Sequence, residues 1–392
     1  MELGTEKNKT VLLVGGGSGG HLTPLIAVAA ALKSLDVNTR VIQIGQKGED
    51  LAEVTEHTAI DKTYEVTAGK FRRYYGESFL SHLLDVKTVA LNIRDFFRFV
   101  AGTVQAYFLL RKLNPDVIFL KGGFVSVPVG LAARLRRVPY ITHDSDAIPG
   151  LANRLTAKHA VYNTTALPIK EYPYEQSKTL QVGIPIQPAF TKVSEIEKAS
   201  AKKQLNIPTD APVLFSVGGG LGAQKLNETL VEASKNILDA VKNLQIIHLT
   251  GKKLYSSTLA QYEKRLSAAQ IKQVQVIDFS TTLYELSAAA DCILTRAGAT
   301  NIAEFAAQAK PCIVMPAPQL TGGQQLHNAR VLASYNAAVV VEEGDSRALE
   351  LEVIKILSNR QHSEGLSKNI HGLARYDAAH DVALLLTKIA EE

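Results

Sequence analysis

The chain of 392 residues is 46% apolar and 21% charged, an ordinary globular mix with ample core for two or three domains. Its two cysteines, Cys292 and Cys312, both in apolar stretches, exclude a disulfide framework and fit a reducing cytosol, and no apolar run reaches the ~18 residues of a transmembrane candidate. Residues 1–185 carry 22 Lys and Arg against 17 Asp and Glu, whereas 186–392 carry 21 against 21, so the excess charge favours an anionic partner for the first half.

The polar lead MELGTEKNKT has none of the regions of a signal peptide, and the expectation is a soluble chain or one resting on a membrane surface. It runs into an apolar strand, VLLVG (11–15), then glycines, the helix TPLIAVAAALKSL (23–35) and a second strand, TRVIQIG (39–45). Gly15, Gly17 and Gly20 satisfy G-x-G-x-x-G, in which glycine lets backbone N–H groups and a helix N-terminus approach a phosphate. Three readings are open for the motif alone: a dinucleotide, another nucleotide-like or phosphorylated ligand, or tight turns that only glycine fits. The second strand ends VIQIGQ, where a dinucleotide binder carries an acid for the ribose, and that weakens the first reading. His21 follows the loop at the helix start, where the positive helix end keeps its ring neutral. Such a ring is a general base beside an anion site or a packing residue at a helix end.

Of the 25 Phe and Tyr, nine lie in 71–108, interleaved with Lys70, Arg72, Arg73, Lys87, Arg94 and Arg98. A basic-aromatic amphipathic segment can rest on an anionic bilayer, and 71–84 is expected to do so; Tyr107 to Leu110 are expected in a core helix. No nucleic-acid module is visible, and the modest charge argues against nucleic acid. PDVIFLKGG (115–123), a helix near 127–137 and PYITHD (139–144) continue the β-α-β alternation. Asp144-Ser145-Asp146 spells D-x-D, but two carboxylates make a poor metal cage, and no metal site is expected.

A linker with two prolines lies near 184–196. The second half then opens like the first, with PVLFSVGGGLGAQKLNETLVEA (212–233), and VGGG occurs at both 14–17 and 217–220. LQIIHLTG, VQVIDF, DCILTRAG, PCIVMP and AAVVVEEG follow as strand candidates. The predicted fold is α/β: two Rossmann-like domains, 1–185 and 186–375, facing across a cleft, with a terminal helix at about 376–392 packed back on the first.

The string GGGSGGHLTPLIAVAAAL (15–32) resembles the N-terminal signature of the bacterial muramyl-lipid N-acetylglucosaminyltransferases, the MurG family. KGGFVSVPVGLAA (121–133), HDSDAIPGLANRLTAKHA (143–160), VGGGLGAQKLNETL (217–230) and TRAGATNIAEFAAQAKPCIVMPAPQLTGGQQLHNA (295–329) agree in order and spacing, so the resemblance spans nearly the whole chain. It implies a GT-B fold and an inverting transfer, without cofactor or catalytic metal, from UDP-N-acetylglucosamine to an undecaprenyl-diphosphate-linked muramyl peptide. The first domain would hold the acceptor at the cytoplasmic face of the membrane, and the second the donor.

The resemblance also assigns roles. His21 takes the proton of the acceptor C4 hydroxyl, bordered by Ser18, Gly19 and Gly20, with Phe124 also on the substrate. Glu304 accepts the ribose hydroxyls, and the N–H groups of Ala299, Thr300 and Asn301 hold the diphosphate with Gly219 and Gly220 nearby. Gln324, Gln325 and Asn328 suit sugar hydroxyls, being both donor and acceptor, and backbone groups at Phe279 and Ser280 meet the uracil. By position alone, Glu304 is equally an ordinary first-turn carboxylate, and the glutamines a solvated helix end. Several positions depart from the family pattern: His143-Asp144-Ser145-Asp146 stands for His-Glu-Gln-Asn and Gly183-Ile184-Pro185-Ile186-Gln187 for Gly-Asn-Pro-x-Arg, so Asp146 replaces an asparagine and Gln187 an arginine, while Gly220 stands for a serine and Ser280 for an apolar residue. The alternatives are a transferase of the same fold with another lipid acceptor such as a diacylglycerol, an NAD(P)-dependent oxidoreductase, and a binding protein that keeps the fold but has lost donor contacts.

Overall fold

The computed structural model describes residues 8–16, 19–48, 55–56, 58–69, 86–220, 222–318 and 323–392. The chain divides into two compact units, Met1–Gln187 with Asp377–Glu392, and Pro188–Tyr376.

Seven short apolar runs form the first sheet: β1 (Thr10–Val14), β2 (Arg40–Gln46), β3 (Lys62–Val66), β4 (Val117–Leu120), β5 (Tyr140–Asp144), β6 (Tyr162–Thr165) and β7 (Thr179–Gln181). Their order is β3-β2-β1-β4-β5-β6-β7, with every neighbouring pair parallel. Side chains alternate between the two faces of a strand, so each face fills its own core. Leu12, Val14, Ile118 and Leu120 meet Val125 and Val129 on one face. On the other, Val11, Leu13, Phe119 and Ile141 meet Leu25, Val28 and Leu32. The terminal helix Ala378–Glu391 buries Val382, Leu386 and Ile389 in that second core. Each such side chain is worth about 1.5–3 kcal/mol on burial, far more than the exposed Lys9–Glu391 ion pair beside them.

The second sheet repeats the plan with β8 (Val213–Val217), β9 (Gln245–Leu249), β10 (Val274–Ile277), β11 (Cys292–Thr295), β12 (Cys312–Val314) and β13 (Val339–Val340), in the parallel order β10-β9-β8-β11-β12-β13. The helix Glu195–Gln204, which precedes β8, starts at a capping box: Ser194 Oγ accepts the Glu197 N–H, and the Glu197 carboxylate accepts the Ser194 N–H. In both sheets the winding reverses beside the first strand, between β1 and β4 and between β8 and β11. Loops leaving the carboxyl ends of those strands diverge there and open a crevice, the usual ligand position in such sheets. Both glycine loops leave from these points.

The long helix Val86–Leu113 corrects one expectation. Leu110 is buried, but Phe108 is 59% exposed, because core contact falls on the Ala106, Leu110 and Leu113 side. The opposite side carries exposed Ile93, Phe96, Phe97, Val100, Val104 and Phe108, spaced three or four apart on one stripe. The helix lies close to the end of β3, where a Cβ on Gly102 would stand 1.8 Å from the Thr67 carbonyl oxygen. Residues 71–84 lie outside the described residues. Among the described residues, no helix is long and apolar enough to cross a membrane.

Candidate active site

At the first switch point the loops after β1 and β4 pack on each other. Gly123 has φ +80°, and a Cβ there would stand 2.7 Å from the Gly16 carbonyl oxygen, so no other residue fits. His21 lies in the first turn of the helix Gly19–Leu35, and its ring hydrogen-bonds the backbone of Lys121. Its Nδ1 is buried without a partner. Burial, and then the Lys121 charge, push the imidazole down to about 3. The ring is therefore neutral throughout the physiological range, the form a general base requires.

Lys121 closes the all-apolar VIFL strand and is only 2% exposed. Burial lowers its ammonium to about 8, against the pull of Asp146 and Asp144. Asp144 ends β5; its Oδ2 accepts the Tyr174 hydroxyl at 2.6 Å and its Oδ1 the Gly150 N–H at 3.2 Å. Burial raises this carboxyl in spite of those bonds. Asn153 Nδ2 donates to the His143 carbonyl at 2.7 Å, and His143 Nδ1 meets Thr164 Oγ1 at 3.0 Å. Asp146 is half-buried two residues past β5. Phe124, 36% exposed, follows the Gly122-Gly123 turn. Gly19 and Gly20 open the helix, Ser18 lies outside the described residues, and Gln187 is half-buried at the end of the first segment of this unit.

At the second switch point β8 feeds Gly218–Gly222 and β11 feeds Arg296-Ala297-Gly298, side by side because Val217 pairs with Thr295. Gly222 has φ +78°, and a Cβ there would lie 2.1 Å from the Thr250 carbonyl oxygen, whereas Gly220 faces open space. The helix Ala299–Ala307 starts after Gly298, which supplies no side-chain cap, so Ala299, Thr300 and Asn301 form its first turn. Glu304 is 3% exposed, and its Oε2 has no hydrogen-bond partner. Burial raises its carboxyl to about 8. Arg296 holds the preceding loop by an ion pair to Glu343 and a 2.9 Å bond to the Met315 carbonyl.

The helix Gln324–Ser334 is tied to the same place. Asn328 Nδ2 donates to the Ala297 carbonyl at 3.0 Å, and Gln325 Oε1 accepts the Ala317 N–H at 2.9 Å, which turns the Gln325 amide nitrogen the other way. Gln324 is half-buried at the helix start. Phe279 lies on the loop after β10 and is 45% exposed, with Lys252 Nζ 4.9 Å from its ring centre. Its N–H is held by Asp278 Oδ1 at 2.7 Å, and Ser280 Oγ accepts the Thr282 N–H at 3.1 Å.

The structure thus gathers His21 with the glycine loop of the first unit, and Gly219, Gly220, Ala299–Asn301, Glu304, Gln325 and Asn328 around the second switch point. Sequence reasoning missed Lys121, Tyr174, Asn153 and Lys252. Lys121 had a visible signal, a charge directly after a buried strand at a switch point; Tyr174 had none, because it reaches Asp144 from 30 residues away.

Two family models cover this arrangement: the glycosyltransferase family 28 N-terminal domain over residues 11–162 and the family 28 C-terminal domain over 213–382. A relative in Bacillus anthracis, named UDP-N-acetylglucosamine–N-acetylmuramyl-(pentapeptide) pyrophosphoryl-undecaprenol N-acetylglucosamine transferase 2, is 32% identical over 399 residues, 98% of this chain and 99% of its own. The enzyme of that name in Borrelia turicatae is 30% identical over 97% of both chains. The chain belongs to glycosyltransferase family 28. As a family 28 member it is a glycosyltransferase, and its two parallel-sheet domains are those of the GT-B fold. The crystal structure of Acinetobacter baumannii MurG matches with a TM-score of 0.69 at 23% identity, over 97% of this chain and 99% of the other. Anabaena HepE in complex with UDP and glucose matches with a TM-score of 0.58 at 14% identity, over 98% and 99%.

Proposed function

We propose that this chain transfers N-acetylglucosamine, with inversion, from UDP-N-acetylglucosamine to the C4 hydroxyl of a muramyl peptide carried on undecaprenyl diphosphate. The carrying observation is the end-to-end match, at 30–32% identity, to relatives named for that reaction. In this reading the first unit serves the acceptor. The acceptor's diphosphate rests on the N-terminus of the helix Gly19–Leu35, which favours negative charge. His21 Nδ1 takes the hydroxyl proton as the oxygen attacks the anomeric carbon; the bond from that carbon to the phosphate oxygen breaks, and UDP leaves with the electron pair.

The second unit serves the donor. Glu304 accepts the two ribose hydroxyls, which fills its empty carboxylate oxygen. First-turn N–H groups of the helix Ala299–Ala307 stabilise the charge developing on the leaving diphosphate. The Gln325 amide nitrogen is available to a sugar oxygen, and the Phe279–Ser280 loop to the base.

Work at the cytoplasmic membrane surface agrees with the exposed stripe of Ile93, Phe96, Phe97, Val100, Val104 and Phe108, which has Arg94 and Arg98 beside it. An apolar stripe edged with basic residues suits the boundary of an anionic bilayer. The deciding test is metal-free calorimetry with UDP-N-acetylglucosamine against UDP-glucose, followed by turnover with muramyl lipid against diacylglycerol. Preference for the first of each pair is expected. Turnover of diacylglycerol alone would replace the acceptor, and binding of UDP-glucose alone would replace the donor.

A further inference from the structure

Lys121 is the group this mechanism leaves unused. Its side chain is 2% exposed, and among the described residues its ammonium makes no hydrogen bond or ion pair. A buried ammonium is costly unless something accepts from its donors. The two carboxylates whose charge it feels do not fill that role: Asp144 already accepts from Tyr174 and Gly150, and neither Asp144 nor Asp146 forms an ion pair with it.

Position says what would. Lys121 directly follows β4 at the switch point, with its N–H on the Val14 carbonyl at 2.8 Å. Its Cβ stands 3.3 Å from where a Cβ on Gly15 would be, so the side chain leaves the backbone against the first glycine loop. The helix that follows that loop, Gly19–Leu35, has 17 residues and no acidic residue in its first turn. A buried cation and the positive end of a long helix therefore lie beside one loop, and among the described residues no carboxylate forms an ion pair with that cation. The chemistry that satisfies both is a polyanion with several oxygens, such as a diphosphate.

We propose that the Lys121 ammonium binds a phosphoryl oxygen of the acceptor's diphosphate and is a substrate-binding residue of this enzyme. The proposal rests on the acceptor reading above, and the test separates the two. Steady-state kinetics on the full chain would compare Lys121→Met and Lys121→Arg. The Met variant should raise the acceptor KM about tenfold or more and leave the donor KM within about twofold, and Arg should restore most of the loss, because it keeps the charge. Calorimetry with inorganic pyrophosphate, in saturating UDP to occupy the second unit, should show the same loss.

A structural role predicts a different pattern. If Lys121 served only to balance Asp144 and Asp146, Lys121→Met would lower the thermal midpoint of the ligand-free chain. Removal of an unsatisfied buried charge should leave that midpoint unchanged or raise it. Pyrophosphate affinity and acceptor KM both unchanged in Lys121→Met, or a lowered midpoint with unchanged affinity, would overturn the proposal. If muramyl lipid is not turned over but Lys121→Met still weakens pyrophosphate, the acceptor assignment falls and the anion site stands.

Discussion

The two switch points share a topology and differ in charge. Each has a glycine loop after its first strand and a second loop after the strand beside it. In the first unit the buried groups at this place include a neutral histidine and an ammonium with no hydrogen bond or ion pair among the described residues, with Asp144 at the end of β5 and Asp146 just past it. In the second they include a carboxylic acid, Glu304, within the helix Ala299–Ala307, and an arginine, Arg296, already paired with Glu343. The backbone offers the same anion-favouring geometry twice, and the side chains decide what each copy does with it. In the proposed reading, one copy moves a proton beside an anion and the other grips hydroxyls.

The sharpest way to break this division is His21→Ala. It should lower kcat by roughly 10²–10⁴ and leave UDP-N-acetylglucosamine affinity within about twofold, as read by turnover and calorimetry. A comparable loss of donor affinity would show that the first unit is not confined to the acceptor. Replacement of Phe96 and Phe97 together by Ser should weaken binding to anionic vesicles by roughly 10²–10⁴-fold, at about 1.5–3 kcal/mol per aromatic side chain. Turnover of a detergent-dispersed acceptor should persist in that variant.

Glu304→Gln should cost donor affinity roughly 10–100-fold, since a hydrogen bond to a charged group is worth about 1.5–3 kcal/mol. This site also carries a pH signature. Burial raises the folded-state carboxyl from 4.5 to about 8, so the ligand-free fold holds a proton that the unfolded chain releases. The resulting contribution is fully present below about 4.5 and is lost as pH rises through about 8, and melting curves should show that decline flattened in Glu304→Gln. Ligand hydroxyls prefer the ionised form, so wild-type donor affinity should instead rise between pH 6.5 and 8.5, a range chosen around the value of about 8. Flat donor affinity over that range would mean that Glu304 does not meet the ribose.

Two glycines of one loop give the smallest effects and a contrast between them. Gly222→Ala forces a side chain into the left-handed region and onto the Thr250 carbonyl, and should destabilise the second unit by about 1–3 kcal/mol in denaturant melts. Gly220→Ser faces open space and should change stability by less than about 0.5 kcal/mol. It would also restore the hydroxyl that the family pattern carries there, so any change in donor affinity should be a gain.

Much of the site was legible beforehand because its signals are local. The roles of His21 and Glu304 came from the family resemblance, but a buried strand, a glycine loop and a helix start occupy about ten consecutive residues, so the loops announce themselves. The residues that support them do not. Lys121 meets His21 from 100 positions away, and Asn328 supports the Ala297 carbonyl from 31. Phe108 went the other way: its apolar neighbours read as core, and only the packing of the helix on the first core, chiefly against the helix Ser126–Arg136, determined which side of it faces outward.

Sequence alone therefore determined the two repeated β-α-β units, their glycine loops and the residues at the two helix starts, because hydrophobic periodicity and glycine conformation act between near neighbours. Tertiary structure decided that β1 lies between β2 and β4, which side chains of the terminal helix enter the first core, and that Lys121 is buried with no acceptor among the described residues. Those outcomes depend on which surfaces exclude water from which others, and burial of that kind is a property of segments brought together from distant parts of the chain.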